Sequence, residues 1–231
     1  MDRDIQTDGS GFQWRVLALA AVAGLVTGCH IDGPEIPKGW VAAPAKRLLM
    51  DSRRDQDPRL QVIICYGWMM SHHSDLRLTC PQRAPLFWDP GGDFKENDPQ
   101  YKRMNDLMHV HSPDVLEWWE YRSGQWREPF MKVFEWDLTR REAEQMHTIL
   151  LQGCVEPGEF RTETHGGFCN IAVSGYLQRF AGPRVDVPDA MIWPDSLARH
   201  LWTQQPDRVL VFEGKKKALA YERPRAARGP R

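Results

Sequence analysis

Two side chains in this sequence have the type and setting for covalent acyl chemistry, Cys169 and His73. Cys169 ends the run Thr164-His165-Gly166-Gly167-Phe168-Cys169 and is followed by Asn170, so a glycine-rich turn feeds straight into an amphipathic pattern. A thiol at a helix start feels the positive end of the macrodipole and unpaired backbone N–H groups, both of which favour the thiolate. The N–H groups around Cys169 and Asn170 are also suited to receive the oxyanion of a tetrahedral intermediate. Gly166 and Gly167 would let a substrate backbone approach closely. The alternative is a structural cysteine that happens to open a helix. A nucleophilic thiol needs an imidazole within hydrogen-bond reach to take and return its proton. His73, in Ser71-His72-His73-Ser74-Asp75-Leu76-Arg77-Leu78, is the candidate, and it stands 169 − 73 = 96 positions upstream. His72 would point to the opposite face of the same strand.

The elements that must bring these residues together follow from periodicity. Residues 60–70 (LQVIICYGWMM) are apolar and β-branched, which predicts a buried central strand. Residues 73–79 and 84–89 flank Cys80-Pro81-Gln82-Arg83 and predict a hairpin, ended by Pro90-Gly91-Gly92. Ser112 with Pro113 predicts a helix start leading into Val115, Leu116, Trp118 and Trp119. Residues 130–138 read as a strand, and Thr139-Arg140-Arg141-Glu142 as a capping box. The helix it opens carries Ala143, Met146, Ile149 and Leu150 on one face and is expected to stop at Gly153. From Cys169 or Asn170 a further helix places Val173, Tyr176, Leu177 and Phe180 in one stripe. Asp195 is expected to cap a short helix, and residues 208–212 to form a last strand. Strands and helices do not alternate strictly, so the fold class expected is α+β, with a mostly antiparallel sheet packed against helices.

Ser71 to Leu78, the run Phe87-Trp88-Asp89-Pro90-Gly91-Gly92, and the later cysteine opening a helix resemble the circularly permuted papain-like amidases of NlpC and lecithin-retinol-acyltransferase type. In that superfamily the histidine precedes the cysteine in the chain. The resemblance covers roughly 110 residues of compatible layout. It implies a permuted papain-like fold and a thiol hydrolase or acyltransferase that cleaves an amide or ester bond through an acyl-enzyme on Cys169. His73 would be the base and the helix-start amides the oxyanion hole. It also implies a third polar residue on the strand after the histidine, to orient the ring. Asp89 is the candidate because folding the hairpin brings it close to His73, although as a residue before proline it is equally a turn former. Glu135 and Asp137 are alternatives.

The two ends of the chain carry their own signals. Residues 16–26 (VLALAAVAGLV) follow Arg15 without a charge and run into Thr27-Gly28-Cys29. That is a signal-peptide hydrophobic region, too short to span a bilayer as a stable helix. Residues 25–29 resemble the lipobox of bacterial lipoproteins, which implies cleavage before Cys29 and a lipid on its thiol. The leader before it is atypical, with three Asp against two Arg. His30 after the cysteine resembles an outer-membrane sorting signal, so the expected location is the periplasmic face of the outer membrane. The organisation expected is therefore a signal peptide over 1–28, the lipidated cysteine and a Pro/Gly-rich spacer over 29–44, one α+β domain over 45–214, and a disordered basic tail over 215–231. That tail carries three Lys, four Arg and one Glu, a formal 7 − 1 = +6.

Overall charge is near neutral, 30 basic against 31 acidic residues, which argues against a nucleic-acid partner. The expected partners are the membrane, through the lipid, and a peptidoglycan peptide or lipid substrate. Of five cysteines, Cys65 reads as a buried small hydrophobe, and Cys80 with Cys154 as a pair able to bridge. His109 and His111 could meet zinc with His72, His73 or a carboxylate, but no CxxC or HExxH accompanies them, so neither a metal nor a cofactor is expected. Trp118, Trp119, Trp126 and Trp136 read as core rather than as a sugar or acyl platform.

Overall fold

The structure, a computed structural model, describes residues 39–44, 52–66, 73–92, 94, 107–109, 117–118, 130–155, 169–188, 191, 193–213 and 217–224. All lie within the compact unit Gly33–Arg231. The strands are β1 (Val41–Pro44), β2 (Arg59–Tyr66), β3 (His73–Thr79), β4 (Leu86–Trp88), β5 (Leu107–His109), β6 (Phe130–Asp137), β7 (Arg208–Glu213) and β8 (Lys217–Glu222). They form one sheet in the order β1-β8-β7-β6-β2-β3-β4-β5, and every neighbouring pair is antiparallel. Three helices complete the α+β fold, α1 (Arg140–Val155), α2 (Cys169–Phe180) and α3 (Pro194–Thr203).

The apolar run at β2 becomes the strand between β6 and β3, and it is buried on both faces. One face presents Leu60, Val62 and Ile64, continues through Leu76 and Leu78 of β3 and Phe134 and Trp136 of β6, and packs with the helices in a single core. Ala143, Met146 and Leu150 of α1 and Val173, Tyr176 and Leu177 of α2 belong to that core, as their spacing predicts. Tyr176 sets its ring edge-on to Trp88 and donates its hydroxyl to the Met146 carbonyl at 2.9 Å, which ties α2 to β4 and α1 together. The capping box closes in both directions: Thr139 N–H meets Glu142 Oε2 at 2.6 Å, and Glu142 N–H meets Thr139 Oγ1 at 3.2 Å.

The opposite face holds Ile63, Cys65, Met131, Val133, Leu210 and Phe212 at one end, all buried. Toward the other end of the strands the same face is ionic. Glu135 accepts from Arg54 at 2.7 Å, Arg59 at 3.1 Å, Gln61 at 2.7 Å and Arg208. Arg77 reaches Gln61 at 3.1 Å and Asp55 at 2.7 Å, and Arg208 also meets Asp137. Cross-strand register makes this ladder: Gln61 lies opposite Arg77 on one side and Glu135 on the other, and Glu135 lies opposite Arg208. Burial would push the Glu135 carboxyl up, but the guanidinium groups of Arg59, Arg208 and Arg54 and the Gln61 amide hold it far below the ordinary range.

Several expectations need correction. Residues 217–222, read from composition as part of a disordered basic tail, form β8, paired to β7 and β1. Arg223 extends the tie by meeting Asp207 at 2.9 Å. The strand β1 at 41–44 likewise belongs to the sheet rather than to a spacer, so the folded region exceeds 45–214 at both ends. Net charge cannot reveal a strand whose alternate residues pack on a neighbour. Helix α1 runs past Gly153 to Val155, and α3 begins with Pro194 after Trp193, with Asp195 inside its first turn rather than capping it. Cys80 is a free thiol, so no Cys80–Cys154 bridge forms. The segments 1–38 and 225–231, with Cys29 and His30 among them, lie outside the described residues, as do His72, His111, Trp119 and Trp126. Of the helix expected from Ser112, residues 117–118 are described and are helical. No helix among the described residues is long and apolar enough to cross a membrane.

Glu135→Gln leaves the buried guanidinium groups of Arg59 and Arg208 and the half-buried one of Arg54 short of a counter-charge and is expected to lower stability by about 3–5 kcal/mol in urea denaturation. Since the folded carboxyl titrates below its unfolded value of about 4.3, its contribution is full above that pH and is lost as pH falls through the folded value. The wild type should therefore lose more stability than the variant on acidification.

Candidate active site

His73 is the first residue of β3, opposite Cys65 of β2. A β-strand alternates its side chains, so His73 and Asp75 share a face. The hairpin predicted around residues 80–83 forms, with Leu76 opposite Trp88 and Leu78 opposite Leu86, and it carries Asp89 back beside His73. Nε2 of His73 lies 2.7 Å from Asp89 Oδ1 and 2.9 Å from Asp75 Oδ1. The His73 side chain is 11% exposed and both carboxylates are fully buried.

Asp89 is held by its own turn. Gly92 N–H bonds the Asp89 carbonyl at 3.0 Å, closing Asp89-Pro90-Gly91-Gly92, and Gly91 takes a positive φ of 67°. Pro90 and Gly91 supply the two central conformations that such a turn requires. The carboxyl then folds back over Gly92, where an added Cβ would fall 1.9 Å from Oδ1. Its second oxygen accepts Phe94 N–H at 3.4 Å. The Pro-Gly-Gly run therefore does more than end a strand: it clears the space from which Asp89 reaches the ring.

Cys169 arrives from the other direction, as the first residue of α2, which packs on β3. Its thiol is partly exposed, shares a hydrogen bond with His73, and accepts one from the Ser74 backbone N–H. With Nε2 taken by the carboxylates, Nδ1 is the ring nitrogen left for the sulfur. Burial alone would push the thiol up, but the hydrogen bond and charge of His73 and the Ser74 amide bring it below its ordinary value. Burial alone would likewise lower the imidazolium, yet the Asp75 charge and the hydrogen bonds to Asp75, Asp89 and Cys169 hold it well above its usual range. A lowered thiol against a raised imidazole is the condition for a thiolate–imidazolium pair.

Cys169, His73 and Asp89 are thus brought together, and Asn170 follows in the first turn of α2, buried. Glu135 and Asp137, the other candidates for orienting the ring, belong instead to the arginine ladder. Cys65 and Cys80 are buried thiols outside any disulfide, and burial raises the Cys80 thiol, which makes it a poor nucleophile. Asp75 was not anticipated, although the two-residue period of β3 points to it. Phe87 packs its ring on Trp118 with centroids 5.3 Å apart, and Trp118 and Trp136 are both buried, which makes them core rather than platform. His73 and one oxygen each of Asp75 and Asp89 lie within 4.8 Å of one another, a spacing able to hold a divalent cation. His109 sits on β5, opposite Leu86. Comparison with known proteins finds no matching family, no similar curated protein and no similar solved structure.

Gly92→Ala is expected to push the Asp89 carboxyl off Nε2 and to destabilise the fold by about 1–3 kcal/mol. Slower alkylation of Cys169 together with a lower melting temperature would bear this out, and an unchanged rate would show that Asp89 does not orient the ring.

Proposed function

We propose that this chain is a cell-envelope thiol hydrolase or acyltransferase acting on an amide or ester bond, of the permuted papain-like type. The observation that carries the reading is one contact: a thiol at a helix start hydrogen-bonded to an imidazole from a strand 96 positions upstream, itself gripped by Asp89 at 2.7 Å. In the proposed reaction the Cys169 thiolate attacks the substrate carbonyl carbon, and the amides of the first turn around Asn170 receive the oxyanion. His73 passes its proton to the leaving amine or alkoxide as the carbon–heteroatom bond breaks, which leaves a thioester on Cys169. Neutral His73 then takes a proton from water or an acceptor hydroxyl, whose oxygen attacks the thioester and releases the thiol. Asp89 keeps the ring in the orientation that serves both half-reactions.

The lipobox-like residues 25–29 support attachment to a membrane through Cys29, with the periplasmic face of the outer membrane favoured by His30. That setting makes peptidoglycan stem peptide or a lipid ester the substrate class in reach. The second reading is a noncatalytic binding or assembly module on the same fold, since a fold does not decide activity.

Treatment of the full chain with iodoacetamide at neutral pH separates the two. For a hydrolase, Cys169 should alkylate far faster than Cys80, and His73→Ala should slow it by about 10²–10⁴-fold. A Cys169 no more reactive than Cys80 in folded protein would favour the binding module. Metabolic labelling with radioactive palmitate should mark the wild-type chain and be lost in Cys29→Ser; equal labelling of both would remove the anchor.

A further inference from the structure

We propose that Asp75 is a second positioning carboxylate of this site, acting through His73 to set the pH range over which the Cys169 thiolate and the imidazolium coexist. The inference rests on the reading of Cys169 as a nucleophile and adds a residue that neither the motifs nor the hairpin geometry supplied.

Asp75 approaches the same ring nitrogen as Asp89, at 2.9 Å against 2.7 Å, from the same strand as the ring itself. Nε2 can carry a single hydrogen, and its shorter contact is with Asp89. Asp75 is fully buried, beside the His73 ring nitrogen and the Asp89 carboxyl. A buried carboxylate is disfavoured unless a charge compensates it or a proton neutralises it. The guanidinium of Arg77, two residues along the same strand, meets Asp55 and Gln61. The compensating cation for Asp75 is therefore His73.

Two adjacent buried carboxylates resist ionising together. Burial raises Asp75, the His73 charge opposes this, and the Asp89 charge adds to it, which leaves the group titrating at about 7. Among the described residues, the other titratable groups around it are Cys65, opposite His73 on β2, Cys169 at the start of α2, and Asp89 after β4. Below that point Asp75 is neutral and the imidazolium has one counter-charge, Asp89. Above it a second negative charge faces the ring, which makes loss of the ring proton harder and carries the ion pair further into the alkaline range.

The direct test is a carbon-detected NMR titration of the His73 ring in the full chain, wild type against the near-isosteric Asp75→Asn. The imidazolium midpoint is expected to fall by about 1–3 pH units in the variant, with slower alkylation of Cys169 at neutral pH. An unchanged midpoint in folded Asp75→Asn would overturn the proposal, because a purely structural Asp75 would lower the melting temperature without moving the ring. Should that variant not fold, the wild-type Asp75 carboxyl signal decides: a step near neutrality that is mirrored in the His73 ring supports the coupling, and a single step in the ordinary acid range overturns it. An inert Cys169 combined with a shifted His73 midpoint would sink the hydrolase reading while supporting the Asp75–His73 coupling.

Discussion

The site depends on keeping a charged imidazole out of water. An isolated imidazolium loses its proton when buried, because the low-dielectric interior disfavours the charge. Here the ring edge bearing Nε2 is buried with Asp75 and Asp89 against it, and that pair more than offsets the desolvation. The other edge faces the sulfur, whose own ionisation the ring then favours. Each charge is tolerable only because the next one is in place, so the thiol, the ring and the carboxylates act as one unit.

Such a unit requires a scaffold that does not yield, and the sheet provides one. The central strands β2 and β6 are buried on both faces, with the helix-packed core on one side and the second apolar set and the arginine ladder on the other. The ladder lies toward the end of β2 and β3 remote from His73 and fixes their register through Gln61, Arg77 and Glu135. A one-residue slip would bury Arg77 against the helices and turn His73 away from the thiol at the same time. Register specified by the ionic end is thereby delivered to the end that carries His73. The thiol and the imidazole come from elements that meet only after the long β6–α1 segment has been laid down, so neither local segment can assemble the cluster alone.

Much of this was legible in the residues. The long apolar run at β2, the hairpin about residues 80–83 and the Thr139–Glu142 capping box each encode their structure locally, and each forms. The Cys169–His73 pairing was readable because chemistry limits which residue can serve a thiol, and only a few histidines sit on buried elements. What escaped was encoded at a distance. Lys217–Glu222 reads as a charged tail until β7 offers it an edge, after which Val211 and Leu219 stand opposite one another and composition no longer decides. Asp75 was hidden in another way: an aspartate inside a strand runs against propensity, and propensity reasoning discounts it where it should have raised a question.

The contrast between the two ionic clusters on the same sheet face bears on whether the site is functional. In the ladder Glu135 is met by three guanidinium groups and an amide, which hold its charge against the cost of burial. Around His73 the balance is reversed: two acids converge on one ring nitrogen, and each has the other as a close neighbour. A protein needing only stability at that position would do as well or better with apolar side chains of similar volume. Retaining paired acids there makes sense where a proton must move at near-neutral pH, since proton affinities that differ little between neighbours are what acid–base chemistry requires. The partly exposed sulfur at the mouth of this cluster gives that proton a destination.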